Sequence, residues 1–309
     1  MADLSLQEIL LSNRRLLMEG ALGERLKREY GIKLHDIVAM GSLIYDKQGR
    51  DALAALWKEY LEIAEAYQLP LLVTTPTRRA NKERVKQAGF SEDLIKDHVH
   101  FLKETITSSK VPVFVGGLMG CKGDAYTGSG ALSLEEARIF HDWQARLFQE
   151  AGADFLYAGI MPTLMEACGM AQAMSDTGLP YLISFTIQKD GKLIDHTTIH
   201  DAITFIDEHV NVKPLCYMTN CVHPDIVYQA IKQPWNQTTT VKTRFLGIQA
   251  NTSALDYDQL DASEDLKTSD PITLACAMER LKEEGFRIFG GCCGTDQHHM
   301  EEIAKRIIS

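Results

Sequence analysis

VPVFVGGLMGCKGDAYTGSGALSLEEARIFHDWQARLFQEAGADFLYAGI, residues 111–160, is the stretch that decides the fold. A short apolar run (111–117) leads into a glycine-rich loop. An amphipathic pattern follows over 133–152, and a second apolar run (154–160) closes the unit. Apolar runs of this length read as strands buried on both faces, and a helix between two of them is the crossover that parallel pairing needs. The unit recurs in both directions. Runs of the same kind stand at 15–20 (RLLMEG), 69–75 (LPLLVTT), 179–187 (LPYLISFTI), 214–221 (PLCYMTNC), 243–250 (TRFLGIQA) and 286–293 (FRIFGGCC). Further helical patterns lie at 52–68, 93–109 and 272–285. Eight strands alternating with helices predict an α/β fold, the (β/α)8 TIM barrel. An open doubly wound sheet shares the alternation, and the count favours the barrel. No linker rich in Pro, Ser or Gly divides the chain, so residues 1–309 read as one barrel domain. Residues 251–271, polar and acidic, read as a long loop after the seventh strand.

Composition narrows the function. The chain has 309 residues, 45% hydrophobic and 24% charged, enough for a sizeable core without staples. Its formal net charge of −10 weighs against a protein that tracks nucleic-acid phosphates. Small anionic ligands stay open, because a site can be locally positive. No apolar run approaches the roughly 20 residues that a membrane span needs. The N-terminus, MADLSLQEILLSNRR, reads as a short amphipathic helix rather than a secretory signal. Seven cysteines, an odd number unevenly spaced, point to a reducing compartment, the cytoplasm.

Barrels of this kind place their chemistry at the C-terminal ends of the strands. Here those ends carry Glu19, Thr74, Thr75, Gly117, Gly159, Phe185, Asn220, Cys221, Asn251, Cys292 and Cys293. Cys221 ends the sixth strand, and Cys292 and Cys293 end the eighth inside GGCCGT. Neighbours in a regular strand point to opposite faces, so two adjacent cysteines aim at one point only where the backbone leaves the strand. Gly290, Gly291 and Gly294 make that departure cheap. The residue types alone leave three readings: small hydrophobes in a core, a vicinal redox pair, or metal ligands. As ligands, three thiolates suit Zn²⁺ and leave one position open, the pattern of a catalytic site. Such a centre carries a net negative charge. It activates water weakly, which argues against a hydrolase, and it suits a substrate thiol bound as thiolate.

The chain resembles the zinc-dependent homocysteine S-methyltransferase family over nearly its whole length. MEGALGERL (18–26) is similar to the family's opening DGAMGTEL, and VTTPTRRAN (73–81) to its ITTNTFRAN segment. GDAYTG with LSLEEA (123–136) and EAGADFL (150–156) resemble its middle region. TNCVHP (219–224) and FGGCCGT (289–295) are similar to its two zinc motifs and are the most specific of these signals. The resemblance implies the same barrel, with zinc on Cys221, Cys292 and Cys293 and a methyl group moved onto homocysteine to give methionine. Glu19, Gly20, Thr75, Thr77 and Asn220 are then expected to orient the acceptor. The donor is a sulfonium or quaternary ammonium, whose cation the ring of Tyr126 or Tyr157 could attract. A corrinoid donor would require a partner protein. No nucleic-acid or membrane partner is implied, and a homo-oligomer is compatible with the sequence.

The departures from the pattern concern the acceptor. Glu19 replaces an aspartate. Gly159, in YAGIMP, stands where the family has a glutamate that helps hold the amino group of homocysteine. Pro76 and Arg78 stand where Asn and Phe are usual, and Arg78 could fork a carboxylate. After the seventh strand IQANTSALDY replaces a YPNSG-like turn. Two alternatives follow: a thiol acceptor other than homocysteine, or a thiol-binding homologue without turnover.

Other motifs have plainer readings. The loop 116–130 lacks the phosphate-binding spacings and reads as a flexible loop or lid, with Cys121 a bystander. Met161, Met165, Met170 and Met174 recur at helical spacing and read as core, the first two near enough to the strand end to border a donor pocket. His98 and His100 diverge on a helix. His298 and His299 open the last helix, and His223 suits a loop or a position behind Cys221.

Overall fold

The computed structural model describes residues 4–253 and 269–308. Eight strands are present: β1 (Leu16–Met18), β2 (Leu71–Thr74), β3 (Val113–Gly120), β4 (Phe155–Met161), β5 (Tyr181–Phe185), β6 (Cys216–Val222), β7 (Phe245–Ala250) and β8 (Ile288–Gly291). They pair in parallel in chain order, and β8 returns to β1, so the sheet closes into the expected barrel. The described helices are α1 (Leu6–Leu11), α2 (Gly23–Glu29), α3 (Lys47–Ala66), α4 (Lys82–Gln87), α5 (Asp93–Ile106), α6 (Leu134–Glu150), α7 (Leu164–Ser175), α8 (Ile199–His209), α9 (Pro224–Ile231), α10 (Thr239–Arg244), α11 (Pro271–Glu283) and α12 (Gln297–Ile307). Most of the loop expected at 251–271 lies outside the described residues.

Alternation along each strand sorts the core into two layers. Leu16, Met18, Leu72, Phe155, Tyr157, Leu182, Cys216, Met218 and Ile288 fill the barrel interior. Their neighbours Leu17, Leu71, Val73, Leu156, Ile183, Tyr217 and Phe289 face the helices. Helix α1, started by a Ser5–Glu8 capping box, packs Leu6, Ile9 and Leu10 onto the interior layer. The segment read as an N-terminal amphipathic helix therefore plugs the end of the barrel where the strands begin.

Strand β3 runs to Gly120, three residues beyond the end read from its apolar run. Its two central glycines, inside the expected run, are packing positions, because a Cβ on Gly117 would lie 2.4 Å from Phe148 Cγ of α6 and one on Gly116 would lie 2.3 Å from Phe155 Cζ inside the barrel. Both rings are completely buried. Gly117→Ala is expected to destabilise the fold by about 1–3 kcal/mol through overpacking, with the metal content of the folded chain unchanged. Urea unfolding beside metal analysis checks this.

Candidate active site

The barrel order places β6 and β8 on either side of β7, and their C-terminal ends bring three cysteines together. Cys221 Sγ lies 3.5 Å from Cys293 Sγ, and Cys293 Sγ lies 4.0 Å from Cys292 Sγ. All three sulfurs fall within 4.8 Å of one another. The local backbone makes this happen. Strand β8 ends at Gly291, and the chain turns so that the Thr295 N–H and hydroxyl both donate to the Cys292 carbonyl. Gly294 sits at φ +83°, with its space taken by Thr252 Oγ1, 2.0 Å from where a Cβ would stand. Opposite, Cys221 has φ +59°, where the pairing of β6 with β7 slips between Asn220 and Val222. A non-glycine residue held there carries roughly 1–3 kcal/mol of strain, which the surroundings must over-determine.

The surroundings do so through one amide. Asn220 Nδ2 donates to Gln249 Oε1 of β7 at 2.5 Å, and its Oδ1 accepts the Ile160 N–H at 3.3 Å. The Tyr157 hydroxyl lies 2.9 Å from both Asn220 Oδ1 and Gln249 Oε1. Ile160 is itself at φ +58°, beside a bulge in β4. Asn220 therefore ties the two strained strand ends to each other.

The sulfurs are electrostatically unequal. Hydrogen bonds from Cys292, Cys293 and the Tyr126 hydroxyl hold the Cys221 thiol well below its ordinary pKa. The same contact pushes Cys292 and Cys293 up, because a charge on Cys221 opposes a second one beside it. Asn251 Nδ2 adds a 3.6 Å N–H···S contact to Cys221.

A 310 Å³ cavity opens over this cluster, bordered by Cys292, Cys293, Tyr126 and the ends of β1, β2 and β4. Four of the five residues expected to orient an acceptor line it: Glu19, Gly20, Thr75 and Asn220. Thr77 does not. Its hydroxyl donates to the Leu118 carbonyl and meets Thr75 Oγ1 at 2.8 Å, so the two threonines stitch β2 to β3. Glu19 is buried, and its carboxylate accepts the Thr74 N–H and hydroxyl and the Trp57 indole N–H at 2.8 Å. Burial outweighs those bonds and pushes its pKa up to about 7.

At Gly159 a Cβ would stand 2.7 Å from Leu118 Cδ1, so an apolar side chain fills the place next to it. Tyr157 lies in the barrel interior beneath the cavity, which leaves Tyr126 as the ring that borders it. Met161, Met170 and Met174 are buried, Met165 is exposed, and none borders the cavity. His223 caps α9 and faces Ser269, while His299 bonds Asp296 and the Ser269 carbonyl. Trp57, Gln249 and Thr295 were not foreseen as parts of the site. Thr295 lies inside the quoted GGCCGT motif, whereas Trp57 is one of several apolar positions on α3 and carries no local signal.

Fold and site define a barrel enzyme whose C-terminal mouth carries a three-cysteine cluster able to hold a metal ion. The homocysteine S-methyltransferase family model matches residues 16–307, and the chain belongs to that family of methyltransferases. Homocysteine S-methyltransferase YbgG of Bacillus subtilis is 24% identical, over 97% of this chain and 96% of its own. Homocysteine S-methyltransferase 2 of Arabidopsis thaliana is 21% identical, over 77% and 79%. The oxidized form of the homocysteine methyltransferase MmuM from Escherichia coli shares the fold, with a TM-score of 0.78 at 19% identity over 96% of this chain and 98% of that one. A metallated form of MmuM superposes with a TM-score of 0.76 at 17% identity, over the same shares of the two chains.

Two outcomes follow from the geometry. Gly294→Ala forces a side chain into both a left-handed backbone and Thr252, so it should loosen the Cys292–Thr295 turn and lower metal affinity by about 10–100-fold. Competition with a chromophoric chelator measures that. The raised pKa of Glu19 means that the folded chain holds a proton which the unfolded chain releases, so this group lowers stability as pH rises from about 4.5 to about 7. Glu19→Gln should remove about 3 kcal/mol of that decline, read as the difference between the two chains in urea unfolding at pH 5 and pH 8.

Proposed function

We propose that this chain is a zinc-dependent S-methyltransferase that moves a methyl group from a small cationic donor onto a thiol. Homocysteine, giving methionine, is the acceptor that the family supports. The observation that carries the reading is the placement of three cysteine sulfurs within 4.8 Å of one another, two of them, Cys292 and Cys293, on the wall of the cavity. Their spacing fits the ion. Zn–S bonds of about 2.3 Å at tetrahedral angles set sulfurs about 3.8 Å apart, and the observed separations bracket that value. The donor set is all sulfur, which selects a soft or borderline ion over magnesium or calcium.

When bound, zinc supplies the positive charge that keeps the three cysteines and a substrate thiol ionised at neutral pH. The chain supplies the rest. Asn220 and the Thr295 turn hold the sulfurs in place. Tyr126 presents a ring to a sulfonium or quaternary ammonium. The acceptor sulfur forms a bond to the methyl carbon as the donor's bond to that carbon breaks. The electron pair of the broken bond leaves with the donor as a neutral thioether or amine, and the thiol proton has gone to solvent. Free thiols are needed throughout, which places the working protein in a reducing compartment, the cytoplasm. Among the described residues no helix is long and apolar enough to cross a membrane.

A second reading, a related thiol as acceptor, is favoured by the Leu118 side chain packed against Gly159.

Purified protein should carry about one zinc per chain, and Cys292→Ser should lose both the zinc and methyl transfer. Elemental analysis with a methyl-transfer assay checks both, and unchanged zinc in the variant would overturn the site.

A further inference from the structure

What the acceptor carries besides sulfur can be read from the walls of the cavity; this step rests on the metal–thiol reading above. Among the described residues, five charged side chains border the space: Glu19, Glu24, Lys27, Arg78 and Arg79. Both carboxylates already serve the protein. Glu19 accepts three hydrogen bonds from Thr74 and Trp57, and Glu24 accepts the N–H of Gly294 beside the cysteine turn. The cations make no ion pair: among the described residues none of the three comes within 4.0 Å of a carboxylate, and the acid that feels the charge of Arg78, Asp124, does not border the cavity.

Arg78 is the best placed of them. It is half-buried, and its stem lies across Gly120 at the end of β3, where a Cβ would stand 2.6 Å from Arg78 Cγ and 2.8 Å from its carbonyl oxygen. Its neighbourhood is crowded with positive charge. Burial, then the charges of Arg79 and Arg78, lowers the pKa of Arg84. A cluster of this kind is relieved by an anion. The β4 side offers nothing to a cation, since Gly159, Ile160 and the facing Leu118 present no anionic side chain. A guanidinium matches a carboxylate in a two-point fork, and an unpaired one in a partly enclosed site gains most from that match.

We propose that the acceptor is an anionic thiol, a mercapto acid whose carboxylate is gripped by Arg78 with Arg79 and Lys27 reinforcing the field, and that recognition does not depend on an α-ammonium group. Homocysteine fits this site through its sulfur and carboxylate alone. A mercapto acid of the same chain length without the amino group fits as well or better.

The test compares four thiols of one chain length on cobalt(II)-loaded protein, whose thiolate charge-transfer absorption reports the arrival of a fourth sulfur. They are homocysteine, γ-mercaptobutyrate, aminopropanethiol and mercaptopropanol. γ-Mercaptobutyrate should bind at least as tightly as homocysteine, and both acids about tenfold or more tighter than the amine and the alcohol. Arg78→Gln should weaken both acids by about tenfold and leave mercaptopropanol within about twofold of its original affinity. Arg78→Lys, which keeps the charge and loses the fork, should fall between. Homocysteine binding tenfold more tightly than γ-mercaptobutyrate would overturn the proposal, because the ammonium would then be read. Equal binding of all four thiols would overturn it too, and both results leave the metal–thiol reading intact. No spectral response to any thiol, the neutral alcohol included, would overturn both together.

Discussion

Three cysteine sulfurs are held within 4.8 Å of one another, and the mouth of the barrel is organised around that arrangement. Two unit charges about 4 Å apart repel by about 4 kcal/mol at an effective dielectric of about 20. That repulsion splits the three thiols: Cys221 goes down in pKa while Cys292 and Cys293 go up. A divalent cation removes the conflict, because it turns mutual repulsion into shared attraction.

Holding the sulfurs there costs backbone strain, and the strain is placed where hydrogen bonds can resist it. Cys221 and Ile160 are non-glycine residues in the left-handed region, and both lie next to Asn220. An amide suits that role because it offers a donor and an acceptor in one rigid plane. Its donor faces Gln249 on β7 and its acceptor faces Ile160 on β4, so strands that are not neighbours are locked in one register. Replacing the amide with an apolar group would leave the Ile160 N–H and the Gln249 carbonyl oxygen buried with fewer partners, a penalty that a burial argument alone would miss.

Much of this was legible in the chain. All eight strands were visible because strands buried on both faces must be apolar throughout, and the cysteine pair was visible because GGCCGT is both a turn and a donor set. What stayed hidden depends on contacts between distant residues. The Trp57 indole meets Glu19 from 38 residues away, and nothing in α3 marks that position among its other apolar residues. Thr77 looked like a cavity residue because of its place after β2, yet its hydroxyl turns to β3. The end of β3 was drawn short because the glycine-rich segment 116–130 reads as a loop, although its first residues, through Gly120, continue the strand. Tyr157 and Tyr126 are alike in sequence, and only the inward pointing of alternate β4 residues separates an interior ring from a cavity ring.

Apart from the turn after β7, the departures from the family pattern fall on one side of the mouth. Strands β6 and β8 bring the sulfurs, and the turn after β7 supports them through Asn251 and Thr252. The ends of β1, β2 and β4 bring Glu19, Pro76, Arg78 and Gly159. In a barrel each strand end carries its own loop, so one arc can change while the opposite arc stays fixed. The changes are also consistent among themselves. The longer Glu19 reaches the Trp57 indole, and its oxygens turn to the protein. Gly159 leaves the β4 wall without a carboxylate, with Leu118 against it. Arg78 adds a cation that makes no ion pair within 4.0 Å among the described residues. Under the proposed anionic acceptor, each step suits the recognition arc to a negative ligand group rather than a positive one, while the sulfur arc keeps its three cysteines together.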